Sequence, residues 1–512
     1  MKNLFFLILV LLFLESCSEE NQSETEIQSK PNIVLFLVDD MGWQDTSVPF
    51  WNKRTPFNDR YHTPNMERLA AKGMKFTQAY ATPVCSPTRI SLMTGMNAAR
   101  HRVTNWTLHK DALQPMETNH KELTFPRWNV NGVSPVPLDL AVHADALPAM
   151  LQKAGYFTIH SGKAHFGAID TPAEDPKAIG FDINIAGHAA GGPGSYLGKN
   201  NFSAQWRGGS EVWDIPGLEK YHGQDIFLSE ALTIEAKSAM DSAVSKKKPF
   251  FMYMSHYAVH TPIETDKRFF QKYLDMGLDE TEAKYAALVE GMDKSLGDIL
   301  DYLEERKLAD NTIILFMSDN GGLSVHGRGG EPNTHNKPLS SGKGSIHEGG
   351  IRTPMIVKWP GVVAPNTSND NYLIIEDFYP TILEMAGVES YNTIQTIDGK
   401  SFSALLANNT PGQTQDRPLF WHYPNEWGPK GPGIGAFSAV RLGDWKLIYY
   451  HLNEDYELFN LKNDIGELNN KAHSNPEKVK ALAEVLTSFL KEVDAQFPIH
   501  KSSGEKVSFP LN

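Results

Sequence analysis

Ile33-Val34-Leu35-Phe36-Leu37-Val38-Asp39-Asp40 decides the fold. Six consecutive apolar residues, rich in β-branched types, leave no polar face, so the segment reads as a strand buried on both sides, as in a parallel sheet. Two carboxylates follow at once. Ligands of open α/β sheets gather at the carboxyl ends of the strands. Adjacent carboxylates there repel each other unless a cation stands between them.

The same unit recurs along the chain. Tyr156 to His160 reads as a strand and runs into Ser161-Gly162-Lys163-Ala164-His165. If the backbone stays extended, alternation sends Lys163 and His165 to the same side. Pro249 to Ser255 runs into His256-Tyr257-Ala258-Val259-His260-Thr261-Pro262, and Thr312 to Met317 into Ser318-Asp319-Asn320-Gly321-Gly322. Helical stretches lie between. Thr63-Pro64 opens one that Gly73 ends, Ala146 to Ala154 forms another, and Tyr285, Leu288, Met292, Leu296, Ile299 and Leu303 recur at helical spacing. The expected fold is α/β, a large mainly parallel sheet sandwiched by helices over residues 31–405. Residues 183–215, rich in Gly, Asn and Ser, read as loops over the site. Met355 to Trp359 adds a strand after Glu348-Gly349-Gly350-Ile351-Arg352.

Residues 406–416 form a polar Pro/Gly linker. Beyond it, Pro418 to His422, Phe437 to Leu442, Trp445 to Tyr450 and Tyr456 to Asn460 lie at hairpin spacing, with Gly443-Asp444 as a turn. With the amphipathic Pro476 to Glu492, residues 417–500 should form a small C-terminal antiparallel sheet with a helix. At the other end, Lys2 and the apolar run Leu4 to Leu14 read as a signal peptide, too short to span a bilayer comfortably. Leu14-Glu15-Ser16-Cys17 resembles a bacterial lipobox, so residues 1–17 would be removed up to a lipidated Cys17. Residues 18–30 would be a flexible acidic tether. The expected location is outside the cytoplasm, lipid-anchored to the bacterial outer membrane. The alternative is an ordinary secretory signal.

The chain has 512 residues and a net charge of −13. That charge argues against a nucleic-acid partner, because no basic stripe would neutralise phosphates. An anionic ligand must be drawn by local cations. Besides Cys17 the one cysteine is Cys85, which leaves no disulfide framework. It lies in Val84-Cys85-Ser86-Pro87-Thr88-Arg89-Ile90-Ser91-Leu92-Met93-Thr94-Gly95, at the start of a helix. Such a start concentrates unpaired N–H groups and partial positive charge. Asp39, Asp40, Asp319 and Asn320 offer hard oxygen ligands, which suit Ca²⁺ or Mg²⁺.

The spacing C-x-P-x-R-x-x-L-x-T-G resembles the signature of the type I, formylglycine-dependent sulfatases, of the alkaline-phosphatase-like superfamily. The resemblance implies that a maturation enzyme converts Cys85 to formylglycine (3-oxoalanine), whose hydrate supplies the attacking oxygen. It places Ca²⁺ among Asp39, Asp40, Asp319, Asn320 and the converted Cys85. It implies that Arg89 holds the hydrate, that Lys163 and Lys343 (in Ser341-Gly342-Lys343-Gly344) grip sulfate, that His260 of His-x-Pro is the general acid, and that His165 takes a proton from the hydrate's second hydroxyl. His256 lacks the following x-Pro and reads as structural. Ala164 departs from the aromatic often found between the lysine and the histidine, which puts the pocket's shape in question.

The likeness extends over residues 31–500 to polysaccharide sulfatases of Bacteroidetes. The substrate it suggests is a sulfated carbohydrate, with marine algal ulvan first, carrageenan next and host glycosaminoglycan as an alternative. Trp106, His109, Arg127, Trp128 and His422 are candidates for sugar subsites, although each alone also reads as structural. A phosphonate or phosphate monoester hydrolase on the same fold remains the nearest rival. A non-catalytic glycan-binding lipoprotein is the rival from another class.

Overall fold

A computed structural model describes residues 30–511. The signal and lipobox reading of residues 1–17, with Cys17, lies outside the described residues, as does the tether apart from Lys30. Among the described residues the main sheet has nine strands. Asn32–Val38 is central, pairing in parallel with Phe250–Ser255 on one side and Thr312–Ser318 on the other. Phe157–Gly162 and Ile183–Ile185 extend the first side, both parallel. On the second side Arg352–Lys358 runs antiparallel to Thr312–Ser318 and to Met74–Tyr80. Thr367–Asn369 and Leu373–Ile374 complete that edge.

Alternation along Asn32–Val38 divides the core. Ile33, Leu35 and Leu37 point to one face, with helices Cys85–Thr94, Leu147–Lys153 and Phe378–Met385. Val34, Phe36 and Val38 point to the other, with Leu228–Ser245 and Glu280–Glu305. All seven residues of the strand are buried. Burying each large apolar side chain contributes about 1.5–3 kcal/mol, so this strand is fixed in register and its last residue is a firm base for Asp39.

The C-terminal sheet runs Leu419–Tyr423, Phe437–Leu442, Trp445–Tyr450, Asp455–Asn460, all antiparallel. Leu482, Leu486 and Leu490 of helix Pro476–Glu492 pack on Val440, Leu447 and Leu458. Val507 joins the same cluster, so the packing continues past residue 500, where the expected unit ended. The buried Lys446 ties this sheet to the main one. Its Nζ donates to Glu348 Oε1 at 2.9 Å and to the Ile346 carbonyl at 3.0 Å, and it meets Glu467 Oε1 at 2.5 Å.

Candidate active site

Strand ends that are distant in sequence meet at one edge. Asp39 and Asp319 leave neighbouring strands, and Asp319 N–H donates to the Val38 carbonyl at 3.0 Å. Asp40 adopts φ 62°, a left-handed backbone that an aspartate tolerates better than most residues. Contacts over-determine it: its N–H donates to Asp319 Oδ1 at 3.2 Å, Asn320 Nδ2 donates to its Oδ1 at 2.8 Å, and Lys343 Nζ lies 2.7 Å from Oδ1 and 2.9 Å from Oδ2. All four candidate oxygen ligands are fully buried.

Cys85 is the first residue of helix Cys85–Thr94 and is 4% exposed. Its Sγ and one oxygen each from Asp39 and Asp319 lie within 4.8 Å of one another. One turn on, Arg89 donates from Nε to Asp319 Oδ2 at 2.9 Å and from Nη1 to Ser255 Oγ at 2.6 Å and the Lys163 carbonyl at 3.0 Å. Arg89 thus braces the carboxylates and the loop that carries Lys163. Lys163 Nζ donates to Asp39 Oδ2 at 2.7 Å.

The residues present fit a hard divalent cation. Asp39 Oδ1 and Asn320 Oδ1 are buried without a hydrogen-bond partner, which is costly unless something else engages them. Burial, with Asp319 and Asp40 alongside, raises the Asp39 carboxyl well above the usual range despite Lys163 and Arg89. Burial acts on Asp40 in the same direction, but Lys343 and His260 outweigh it and hold that carboxyl low. A cation among these oxygens would keep all the carboxylates ionised.

Each histidine's hydrogen bonds fix its tautomer. His260 Nδ1 lies 2.7 Å from the Thr261 carbonyl, which only accepts, so Nδ1 carries the proton and Nε2 faces Asp40 Oδ2 at 3.8 Å. Burial, then Lys343, push its pKa down to about 3. His165 Nε2 donates to the Thr107 carbonyl at 2.8 Å, leaving Nδ1 bare and unpartnered. Burial and Lys163 push it far down. Both are neutral bases until an anion arrives. His256 pairs with Ser295 Oγ at 2.9 Å, packs on Phe36 and stays out of the pocket.

Lys163 and His165 do not reach the site by strand alternation. The backbone turns at Gly162, φ 105°, and again at His165, φ 57°. A Cβ on Gly162 would lie 1.8 Å from the Ser255 carbonyl oxygen, so only glycine fits.

A cavity of about 240 Å³ stands over Cys85, Asp40, His165, His260 and Lys343. Trp106, Trp213, Trp427, His326, Met116 and Thr261 contribute to its walls. Of the sugar-subsite candidates, only Trp106 lines it. His109 and Arg127 are exposed and contribute nothing to the cavity. Trp128 is a correction: it is fully buried, with Nε1 donating to Glu117 Oε1 at 3.1 Å. His422 is another, since it is 4% exposed and held between Ser438 Oγ at 2.8 Å and the Gln496 carbonyl at 2.7 Å.

Trp213, His326 and Trp427 escaped the sequence reading. Trp213 sits in the segment expected to overlie the site. Trp427, inside Asn425-Glu426-Trp427-Gly428-Pro429, comes from the C-terminal part and packs on Gly344 beside Lys343. A Cβ on Gly344, φ 88°, would lie 1.9 Å from that ring.

Residues 31–388 match the family model described as Sulfatase. The chain belongs to the sulfatase family. This sulfatase also matches, over residues 342–496, the model described as N-sulphoglucosamine sulphohydrolase, C-terminal. A sulfatase of Formosa agariphila is 30% identical over 561 aligned residues, covering 100% of this chain and 98% of that protein. N-acetylgalactosamine-6-sulfatase of Mus musculus is 30% identical over 441 residues, covering 84% and 74%. The crystal structure of Ps i-CgsB in complex with k-i-k-neocarrahexaose superposes with a TM-score of 0.71 at 27% identity, covering 90% of this chain and 93% of that one. The central parallel sheet with its appended antiparallel sheet is that of an alkaline-phosphatase-like sulfatase, a sulfuric ester hydrolase.

Proposed function

We propose that this sulfatase removes sulfate from a sulfated saccharide, with Cys85 converted to formylglycine and Ca²⁺ held by Asp39, Asp40, Asp319 and Asn320. The observation that carries the reading is the convergence of a buried helix-start cysteine, Lys343, His165 and His260 on one small cavity, with the unpartnered Asp39 and Asn320 oxygens and Lys163 buried beneath it. Burial raises the Cys85 thiol, and Lys163 and Lys343 do not offset it. An unmodified Cys85 is therefore a poor thiolate nucleophile at neutral pH. Converted and hydrated, the residue supplies an oxygen nucleophile, and the ion supplies positive charge for the sulfate oxygens.

The rest follows from the chain's own groups. Lys163 and Lys343 present ammonium groups to the same anion. Burial alone would lower Lys343, but Asp40 raises it, so it stays charged. An incoming sulfate adds negative charge beside His260 Nε2, which favours the imidazolium and readies it to protonate the leaving alcohol. His165 Nδ1 is the free acceptor for the proton released when the nucleophile is restored. The tryptophan walls suit the apolar faces of a pyranose ring, and the cavity is small for a ligand site. Ulvan and carrageenan oligosaccharides are the first substrate candidates, the second in keeping with the carrageenan-bound relative, and glycosaminoglycan fragments follow. Cys17 lipidation would tether the enzyme to the outer membrane, where such polymers are met.

Two measurements test this. Mass spectrometry of the Cys85 peptide should show the sulfur replaced by an aldehyde oxygen. A parallel assay on sulfate, phosphate and phosphonate monoesters should favour sulfate on sugars, and a phosphonate preference would overturn the reading.

A further inference from the structure

A second cavity, of about 750 Å³, shares no lining residue with the catalytic one. It runs along the sheet edge beside the C-terminal sheet. Arg352 opens its strand at the same edge as Asp319, and Ile356 pairs with Lys75 at the far end. Four residues of strand at about 3.3 Å each make the groove about 13 Å long, enough for more than one pyranose ring.

Its floor holds unsatisfied donors. Arg352 is 4% exposed; its Nε has no hydrogen-bond partner, and its Nη1 has only an ion pair with Glu348 Oε2 at 3.4 Å. The guanidinium lies 5.0 Å from the Trp43 ring, whose own Nε1–H is buried and unpartnered. A buried donor left without a hydrogen bond is costly, and the incompletely satisfied guanidinium lies directly beneath the groove. Lys75 and Lys462 add cationic charge at the wall and lip, Lys462 lying 4.0 Å from Asp444, while Arg441 is buried behind them on Tyr80, Gln78 and the Gly443 carbonyl. Half-buried Trp51 supplies the aromatic surface, with Phe50 packed beneath it in the core.

Lysines beside a tryptophan, over a buried guanidinium, suit an anionic saccharide chain: the lysines meet sulfates or carboxylates and the tryptophan meets a ring face. We propose that this groove is a second binding site, distinct from the catalytic pocket, for a sulfated polysaccharide chain. The saccharide class rests on the function proposed above, but the charge and the groove do not. Such a site would hold the polymer while its termini or branches are sampled by the catalytic pocket, raising their local concentration.

The test separates binding from chemistry. Binding of carrageenan and of its chemically desulfated form is measured by affinity electrophoresis on Cys85→Ala protein, with and without Trp51→Ala and Lys75→Gln together. Both positions are half-buried at the groove wall, and Lys462→Glu at the exposed lip serves as a second probe. Affinity for the sulfated chain should fall about tenfold or more in the groove variants, and the desulfated chain should bind weakly to all. In protein with Cys85 intact, turnover of a short sulfated saccharide should stay within about twofold, as for independent sites. Unchanged carrageenan affinity in both groove variants, or equal losses for the desulfated chain, would overturn the second site. Absent turnover with groove-dependent binding intact would instead overturn the proposed function alone.

Discussion

Two buried clusters of charge lie on either side of Asp40. In one, Arg328 sits fully buried between Asp45 and Glu282, with Tyr61 and Tyr285 packed around it. Its Nη1 donates to Asp45 Oδ1 at 3.0 Å and its Nε to Glu282 Oε2 at 3.1 Å, and its Nη2 bonds both Tyr61 and Glu282. Asp45 Oδ2 takes the remaining donors, Gly42 N–H at 2.8 Å and Tyr285 O–H at 2.7 Å. In the other, Asp39, Asp319, Asn320, Arg89, Lys163 and Lys343 are equally buried, but Asp39 Oδ1, Asn320 Oδ1 and the neighbouring His165 Nδ1 are unpartnered. Similar residues at similar depth thus do different jobs. Saturated valence marks scaffold, and leftover valence marks the place where something else binds.

Exchanging a residue in each cluster should separate the two. Cys85→Ala should abolish turnover of every sulfate ester while the thermal transition stays put, and full residual activity would break the assignment. His260→Ala should slow kcat by about 10²–10⁴-fold, with little change in KM, measured on an unactivated sugar sulfate. Arg328→Met leaves Asp45 buried without a cation and Glu282 with Arg60 alone, so denaturant unfolding should show a loss of about 3–5 kcal/mol. Activity lost in step with folding, and not beyond it, would keep Arg328 on the scaffold side. Calcium at about 100 times its Kd should add about 2.7 kcal/mol to the stability of chelator-treated protein. The increment at that calcium concentration should shrink in Cys85→Ala, which removes one proposed ligand, and be cut more sharply in Asp319→Ala.

The most gradual expected effect is a slope with pH. His101, His160 and His256 are buried far from solvent, and burial pushes each to about 3. In the unfolded chain each returns to about 6.5. As pH falls below 6.5 the unfolded chain takes up protons first, so the stability present above 6.5 drains away between 6.5 and about 3. Each such histidine withdraws up to about 1.4 kcal/mol per pH unit in that window. His101→Asn should flatten the fall in Tm, and an unchanged slope would remove His101 from the account.

Much of this was legible in the sequence, for a local reason. Ile33–Val38, Phe250–Ser255 and Thr312–Ser318 announce themselves as buried strands by composition alone, and the polar residues that follow each must stand at one edge. The floor of the pocket is therefore written beside its own scaffolding. Its wall is not. Trp427 reaches Gly344 through the docking of the C-terminal sheet, held by Lys446 on Glu348 and Glu467 and by Trp421, Tyr423 and Asn425 on the main body, and no periodicity encodes that docking. Trp128 and His422 misled for the converse reason: a tryptophan or histidine on a short element looks free until the neighbour that buries it is known. Lys163 and His165 were placed at the right edge by the strand, yet a glycine turn, not alternation, brings them in.

The packing of Trp427 on Gly344 also sets an order of events. A ribosome delivers the strands, the cysteine helix and both lysines first, and the tryptophan that closes one side last. Until the C-terminal sheet docks on the main one, the ionic floor stands open on that side. Cys85 thus passes through an interval of access that ends when the final sheet docks. Weakening that docking, for instance by reversing the charge of Lys446, would lengthen the interval and leave Cys85 more open on that side than in the finished protein.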